Sequence, residues 1–184
     1  TSPTGTAPST VNVECIGDVP TSDVTLITDE ADNCSTPVVA FVSDVSDGAT
    51  CPETITRTYS ITDACGNVTN VTQSIIVNDV TPPTASNPAT VTVPGGPAPA
   101  TDPTVVIDEA DNCATPVVAF VSESTDGAAC PETITRIYSV TDACGNTINV
   151  THLILITDPF APTASNPAGI NVECIGDVPT PDPL

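Results

Sequence analysis

Lysine, methionine and tryptophan are absent from this 184-residue chain. Positive charge is nearly absent too. Arg57 and Arg136 stand against 23 Asp and Glu residues, and the formal charge is −21. Such a surface repels phosphates, which argues against nucleic acid and against adsorption to an anionic membrane. Without lysine, Lys–Asn and Lys–Asp isopeptide crosslinks cannot form. No apolar run approaches the ~20 residues of a membrane-spanning helix, so direct membrane insertion is not expected. The chain opens on Thr1 with no initiator methionine or signal peptide in view, which reads as a fragment or processed end. Catalysis has little to stand on. The single histidine, His152, is replaced one repeat earlier by Gln73. Neither a Gly-x-Ser-x-Gly elbow nor a phosphate-cradling glycine loop is present. An enzyme is not expected.

What is present repeats. Asp32–Cys34 returns at Asp111–Cys113, Cys51–Arg57 at Cys130–Arg136, and Thr62–Asn67 at Thr141–Asn146, each step being 79 residues. Ile170–Thr180 echoes Val11–Thr21 and opens a third copy. The chain therefore divides into repeat one (1–80), repeat two (81–159) and the start of repeat three (160–184). Proline marks the boundaries, at Thr81-Pro82-Pro83-Thr84 and Pro159-Phe160-Ala161-Pro162. Proline fixes φ and removes a donor, so these linkers are short and semi-rigid. Tandem arrays of this kind serve reach and display more often than chemistry.

Helical periodicity is missing throughout. Short β-branched runs lie between clusters of Pro, Gly, Asn and Asp, the pattern of an all-β chain. Strands are expected near Val11–Glu14, Val24–Thr28, Val38–Ser43, Ile55–Thr62 and Val71–Val77. Their counterparts are Thr90–Val93, Thr104–Asp108, Val117–Ser122, Ile134–Thr141 and Val150–Ile156, with weaker edge strands around Thr21 and Val45–Ala49. The turn Ala64-Cys65-Gly66-Asn67 should join the last two strands as a hairpin. The fold class is all-β: tandem immunoglobulin-like β-sandwich modules with a 79-residue repeat and short Pro-rich linkers.

A module of this size has a small core and needs staples. Eight cysteines can supply them. No Cys-x-x-Cys or Cys/His pairing suggests zinc, so disulfides and an oxidising compartment are the better reading.

The Asp-Asn-Cys, Cys-Pro-Glu-Thr-Ile-Thr-Arg and Thr-Asp-Ala-Cys-Gly-Asn blocks resemble hyalin-repeat-type (HYR-like) modules. These occur in giant surface adhesins of gliding Bacteroidetes, of the SprB gliding-motility type. The resemblance covers both full modules and the partial third. It implies a β-sandwich, export to the cell surface by the type IX route, and an adhesive or filament role. Repeat two departs from the pattern. Val93-Pro94-Gly95-Gly96-Pro97 replaces Val13-Glu14-Cys15-Ile16-Gly17, and a cysteine is lost.

In an immunoglobulin-like sandwich Cys34 and Cys65 belong at the leading pole, where the chain enters the module. Cys15 and Cys51 belong at the trailing pole, where it leaves. The expected bridges are therefore Cys34–Cys65, Cys15–Cys51 and, one repeat on, Cys113–Cys144. Cys130 is left without a partner, and that of Cys174 is expected beyond Leu184. Pairing Cys51 with Cys65 is disfavoured, because fourteen extended residues span ~45 Å and bridged Cα atoms need roughly 5–6 Å.

The acidic loop Asp108-Glu109-Ala110-Asp111-Asn112 should share the leading pole with Asp142 and with Asp79 from the preceding module. No cofactor is required by any motif. Calcium is the one that Asp79, Asp108, Asp111 and Asp142 could hold at a module junction, since it takes 6–8 oxygen ligands. Solvated turn residues are the plainer reading of the same aspartates. Arg57 and Arg136 fall on the inward faces Ile55-Arg57-Tyr59-Ile61 and Ile134-Arg136-Tyr138-Val140, so each must be paired or reach an edge.

These features together suggest consecutive structural or adhesive repeats of a long secreted bacterial surface protein, with an extracellular location. Expected partners are neighbouring repeats of the same chain, and beyond them surface polysaccharide or other cell-surface proteins. The alternatives are a carbohydrate- or protein-binding module with a discrete pocket, which scarce aromatics disfavour, and an accessory domain of a secreted enzyme.

Overall fold

The computed structural model describes residues 1–165 and 168–180. It is all-β, with two copies of one four-stranded sheet. Strands β1 (Thr4–Thr6), β2 (Val11–Val13), β3 (Thr28–Ala31), β4 (Val38–Ser46), β5 (Glu53–Thr62) and β6 (Val68–Val77) build module one. Strands β7 (Val91–Pro94), β8 (Val117–Thr125), β9 (Glu132–Thr141) and β10 (Thr147–Thr157) build module two. The strand orders are β2-β6-β5-β4 and β7-β10-β9-β8. The ribbon β1–β3 forms a narrow second layer in module one. The single bridge Thr84–Ala110 takes its place in module two.

The long strands follow from period-two alternation. In β5, Ile55, Arg57, Tyr59 and Ile61 are buried while the intervening residues are more exposed. The core of module one comprises Ile27, Tyr59 and Ile61 together with Ile55, Ile75 and Val77. Val106, Tyr138, Val140 and Val150 form its counterpart in module two. Tyr59 and Tyr138 are fully buried. Their hydroxyls accept hydrogen bonds from the Asp23 and Asp102 amides at 3.2 and 3.4 Å, which meets the need of a buried phenol. β1 approaches this core closely. A Cβ on Gly5 would sit 2.5 Å from Ile61 Cδ1.

Two expected strands are corrected. Val24–Thr28 and Thr104–Asp108 begin instead as single 3-10 turns, Val24–Leu26 and Pro103–Val105. The cause is local. Asp23 and Asp102 each accept from the amide and hydroxyl of the threonine two residues on, at 2.9 and 2.7 Å. That Asx geometry competes with a sheet ladder. No strand forms around Thr21, while β4 runs on to Ser46.

Strand direction places the two poles. β2 lies parallel to β6, with Val13 opposite Val77, and the Asn78 amide donates to Val13 O at 2.9 Å. β5 is antiparallel to β6 and starts beside its end, with Glu53 opposite Val77. Cys15 and Cys51, just beyond these points, therefore share the trailing pole of module one. At the leading pole of module two stand the β9–β10 hairpin turn, which carries Cys144, and the segment after Ala110, which carries Cys113.

Candidate functional site: the junction between modules

Few residues separate the end of β6 from the Thr84 bridge, so the trailing pole of module one abuts the leading pole of module two. Two disulfides cross the boundary. Cys15 bonds Cys113 with a Cα–Cα distance of 5.0 Å, and Cys51 bonds Cys144 at 5.4 Å. Both distances suit a disulfide. The bridges span 98 and 93 residues of sequence.

This corrects the expected pairing. Cys15–Cys51 and Cys113–Cys144 do not form, because all four sulfurs are bonded across the boundary. Cys34–Cys65 does not form either, and both residues are free and exposed. The physical reason is adjacency. Each of the two poles at this boundary carries two cysteines, and each pair meets the other across it. Cys130 and Cys174 are also free and exposed. At the Cys15 position of module two stands Gly95, at φ +65, in the left-handed region that favours glycine. A Cβ there would lie 2.9 Å from the Phe160 ring.

Hydrogen bonds pin the bonded cysteines. The Cys113 amide donates to Asp111 Oδ2 at 3.0 Å. The Cys144 and Asn146 amides both donate to Asp142 Oδ1 at 2.8 Å, and Asn146 Nδ2 donates to Asp142 Oδ2 at 2.7 Å. Burial works against ionisation of Asp142, yet the bonds from Asn146 and the turn amides hold its pKa below the usual carboxylate value. Gly145 completes this turn at φ +91. Polar contacts also cross or tie the boundary. Asn146 Nδ2 donates to Asp79 O at 3.0 Å, Asn112 Nδ2 to Glu14 Oε2 at 2.8 Å, and Thr81 Oγ1 to Glu14 Oε2 at 2.7 Å.

The four aspartates considered for calcium separate into two groups. Asp79 and Asp111 meet beside Cys113, with one ligand atom from each of the three residues within 4.8 Å of the others. Asp79 is buried, and Asp111 Oδ1 is a buried oxygen without a hydrogen-bond partner. Asp108 and Asp142 lie outside that group. Asp108 caps the Ser86 amide at 3.0 Å, and Asp142 holds the hairpin turn. Since the Cys113 sulfur is bonded to Cys15, two carboxylates remain as donors, fewer than calcium's usual 6–8 oxygens.

Arg57 and Arg136 are buried. Arg57 grips Asp44 with two bonds, Nε to Oδ1 at 2.9 Å and Nη2 to Oδ2 at 2.8 Å. Its pKa is raised, first by hydrogen bonding to Asp44, and burial opposes the shift. Arg136 pairs with Glu123 at 2.6 Å and donates to the Pro99 and Ala100 carbonyls. Sequence periodicity located both arginines. The carboxylates follow from register, since Asp44 faces Arg57 and Glu123 faces Arg136 across β4–β5 and β8–β9.

A family model for an HYR-like domain with four cysteines matches residues 3–77 and again 78–156. No curated protein matches the chain. With both modules matched, and with cysteines as the residues that join them, the chain belongs to the family of HYR-like domains with four cysteines.

Proposed function

We propose that this chain is a non-catalytic, load-bearing segment of a secreted surface protein, in which disulfides between successive modules convert a string of small sandwiches into one covalently braced rod. The observation that carries this reading is the pair of bridges Cys15–Cys113 and Cys51–Cys144. Within a module, a bridge would only stabilise that module. Across a boundary, two bridges at separate points resist both bending and twisting. HYR-like modules are typically extracellular, which suits disulfides. Among the described residues no helix is long and apolar enough to cross a membrane.

An adhesive role in attachment or gliding motility is the finer form of this proposal. Its support is a repeated exposed edge. Val38, Phe41 and Val42 on β4 are exposed, and so are Val117, Phe120 and Val121 on β8. One such patch per module offers many weak contacts in series, whose combined strength exceeds any one of them. The carboxylate-rich surface keeps such modules apart in solution through mutual repulsion. The deciding experiment is small-angle scattering of the chain before and after reduction. Reduction should broaden the distribution of end-to-end distances while each module keeps its β-sheet circular dichroism. An unchanged profile, with the bridges verified as broken, would remove the bracing role.

A further inference from the structure

The free cysteines of module one have a bonded precedent inside the same chain. Cys34 and Cys65 stand one repeat before Cys113 and Cys144, which are both bonded to the preceding module. Their local geometry is already that of the bonded pair. The Cys34 amide donates to Asp32 Oδ2 at 3.0 Å, as the Cys113 amide does to Asp111. The Cys65 and Asn67 amides donate to Asp63 Oδ1 at 2.9 and 2.8 Å, as those of Cys144 and Asn146 do to Asp142. Asn67 Nδ2 reaches back to the entering chain at Thr1 O, as Asn146 Nδ2 does to Asp79 O. Both thiols are exposed. At the opposite end of module two, Cys130 is exposed and stands in the position of Cys51.

From this we propose that the leading pole of module one is a receiving socket for the trailing pole of another module of the same type, and that the pairing is position-specific. Cys65 takes the cysteine of the Cys51 position, and Cys34 takes that of the Cys15 position. Module two carries one competent donor for this socket, Cys130. Gly95 fills its other donor position, so the trailing pole of module two in a second copy can close only the Cys65 bridge. The proposal rests on the bracing role of the disulfides but not on adhesion.

The step is an ordinary thiol oxidation. Two thiols lose two protons and two electrons as the S–S bond forms. Glutathione disulfide accepts them, its own S–S bond breaks, and two glutathione thiols result.

The test incubates the intact oxidised 184-residue protein with glutathione disulfide at high protein concentration. Non-reducing electrophoresis and disulfide mapping by mass spectrometry then read the products. A head-to-tail ladder is expected in which Cys130 of one copy is bonded to Cys65 of the next. Cys65→Ser and Cys130→Ser should each abolish the ladder, and Cys34→Ser should leave it intact. All three positions are exposed, so none of these changes disturbs the core. An internal Cys34–Cys65 bond as the main product would overturn the proposal. So would a ladder that survives Cys130→Ser, or one in which Cys34, Cys65, Cys130 and Cys174 pair at random. Loss of the ladder alongside an intact Cys51–Cys144 bridge would refute the socket and leave the bracing role standing.

Discussion

Cys51 and Cys144 lie 93 residues apart in sequence, in different modules, and are joined with their Cα atoms 5.4 Å apart. That bond makes the stability of each module depend on its neighbour. In a chain-entropy description, closing a loop of nearly 100 residues contributes about 4–5 kcal/mol. The Cys15–Cys113 bridge adds less than a second full share, because the first bridge has already restricted the chain. Serine at Cys51 should therefore lower the unfolding midpoint of both modules. The double replacement of Cys15 and Cys51 should separate one thermal transition into two. Calorimetry of the three proteins decides this. A transition confined to module one in the Cys51→Ser protein would show that the modules are uncoupled.

The sandwich and the poles were legible from sequence, while the pairing was not. β-Branched alternation located β4 to β6 and β8 to β10, and the parallel course of β2 put Cys15 beside the end of β6. Cys15, Cys51, Cys113 and Cys144 stand at the poles their strands implied. The expected bridges failed because they were sought within one module, although the short Asn78–Thr84 connection brings two poles together. A signal was present: module two has three cysteines, Cys113, Cys130 and Cys144, so any pairing closed within modules leaves one of them alone. Asp23 and Asp102 hid the 3-10 turns, since a run rich in β-branched residues such as Val24-Thr25-Leu26-Ile27 reads as strand until its preceding aspartate is weighed.

Arg57 and Asp44 should respond unequally to mutation. The Arg57 side chain is 4% exposed and that of Asp44 35%. Asp44→Ala strands a buried guanidinium, which typically costs about 3–5 kcal/mol. Arg57→Met leaves an aspartate that can turn to water, and it fills the volume with apolar atoms, so about 1–2 kcal/mol is expected. Urea unfolding of both variants gives the order. A larger loss for Arg57→Met than for Asp44→Ala would mean that the arginine's packing, and not its charge, matters at this position.

His152 gives module two a pH response that module one lacks. Its ring is 3% exposed and faces Arg136 across the β9–β10 pair. Burial lowers its pKa from 6.5, the Arg136 charge adds to that, and a backbone hydrogen bond to Ala89 opposes it. The folded state therefore favours the neutral ring. Its contribution is full above pH 6.5 and is lost as the pH falls through the depressed folded value, because the unfolded chain takes up the proton first. His152→Gln, which copies Gln73, should remove this slope from the stability profile of module two. A further loss is expected below the ordinary aspartate value of 3.8, where Asp63 and Asp142, both depressed in the folded state, accept protons. Denaturant midpoints across the pH range check both steps. A wild-type profile that is flat between pH 7 and 5 would contradict the first.

Asp79 and Asp111 set the last prediction, because their oxygens approach within 4.8 Å at the boundary that the disulfides hold closed. Two full charges at that distance repel by about 3 kcal/mol at an effective dielectric near 20. The two S–S bonds hold the poles in contact covalently, so the oxidised junction should hold without calcium. Chelation of the oxidised protein is expected to leave its maximum dimension unchanged. The reduced protein is different, since nothing covalent then opposes the repulsion. Asp111→Asn should contract it, whereas added calcium, for which two carboxylates are too few donors, should leave it expanded. Scattering in all four combinations of redox state and chelator separates the two forces. Expansion of the oxidised protein on chelation would show that a cation, and not the pair of bridges, sets the geometry of the junction.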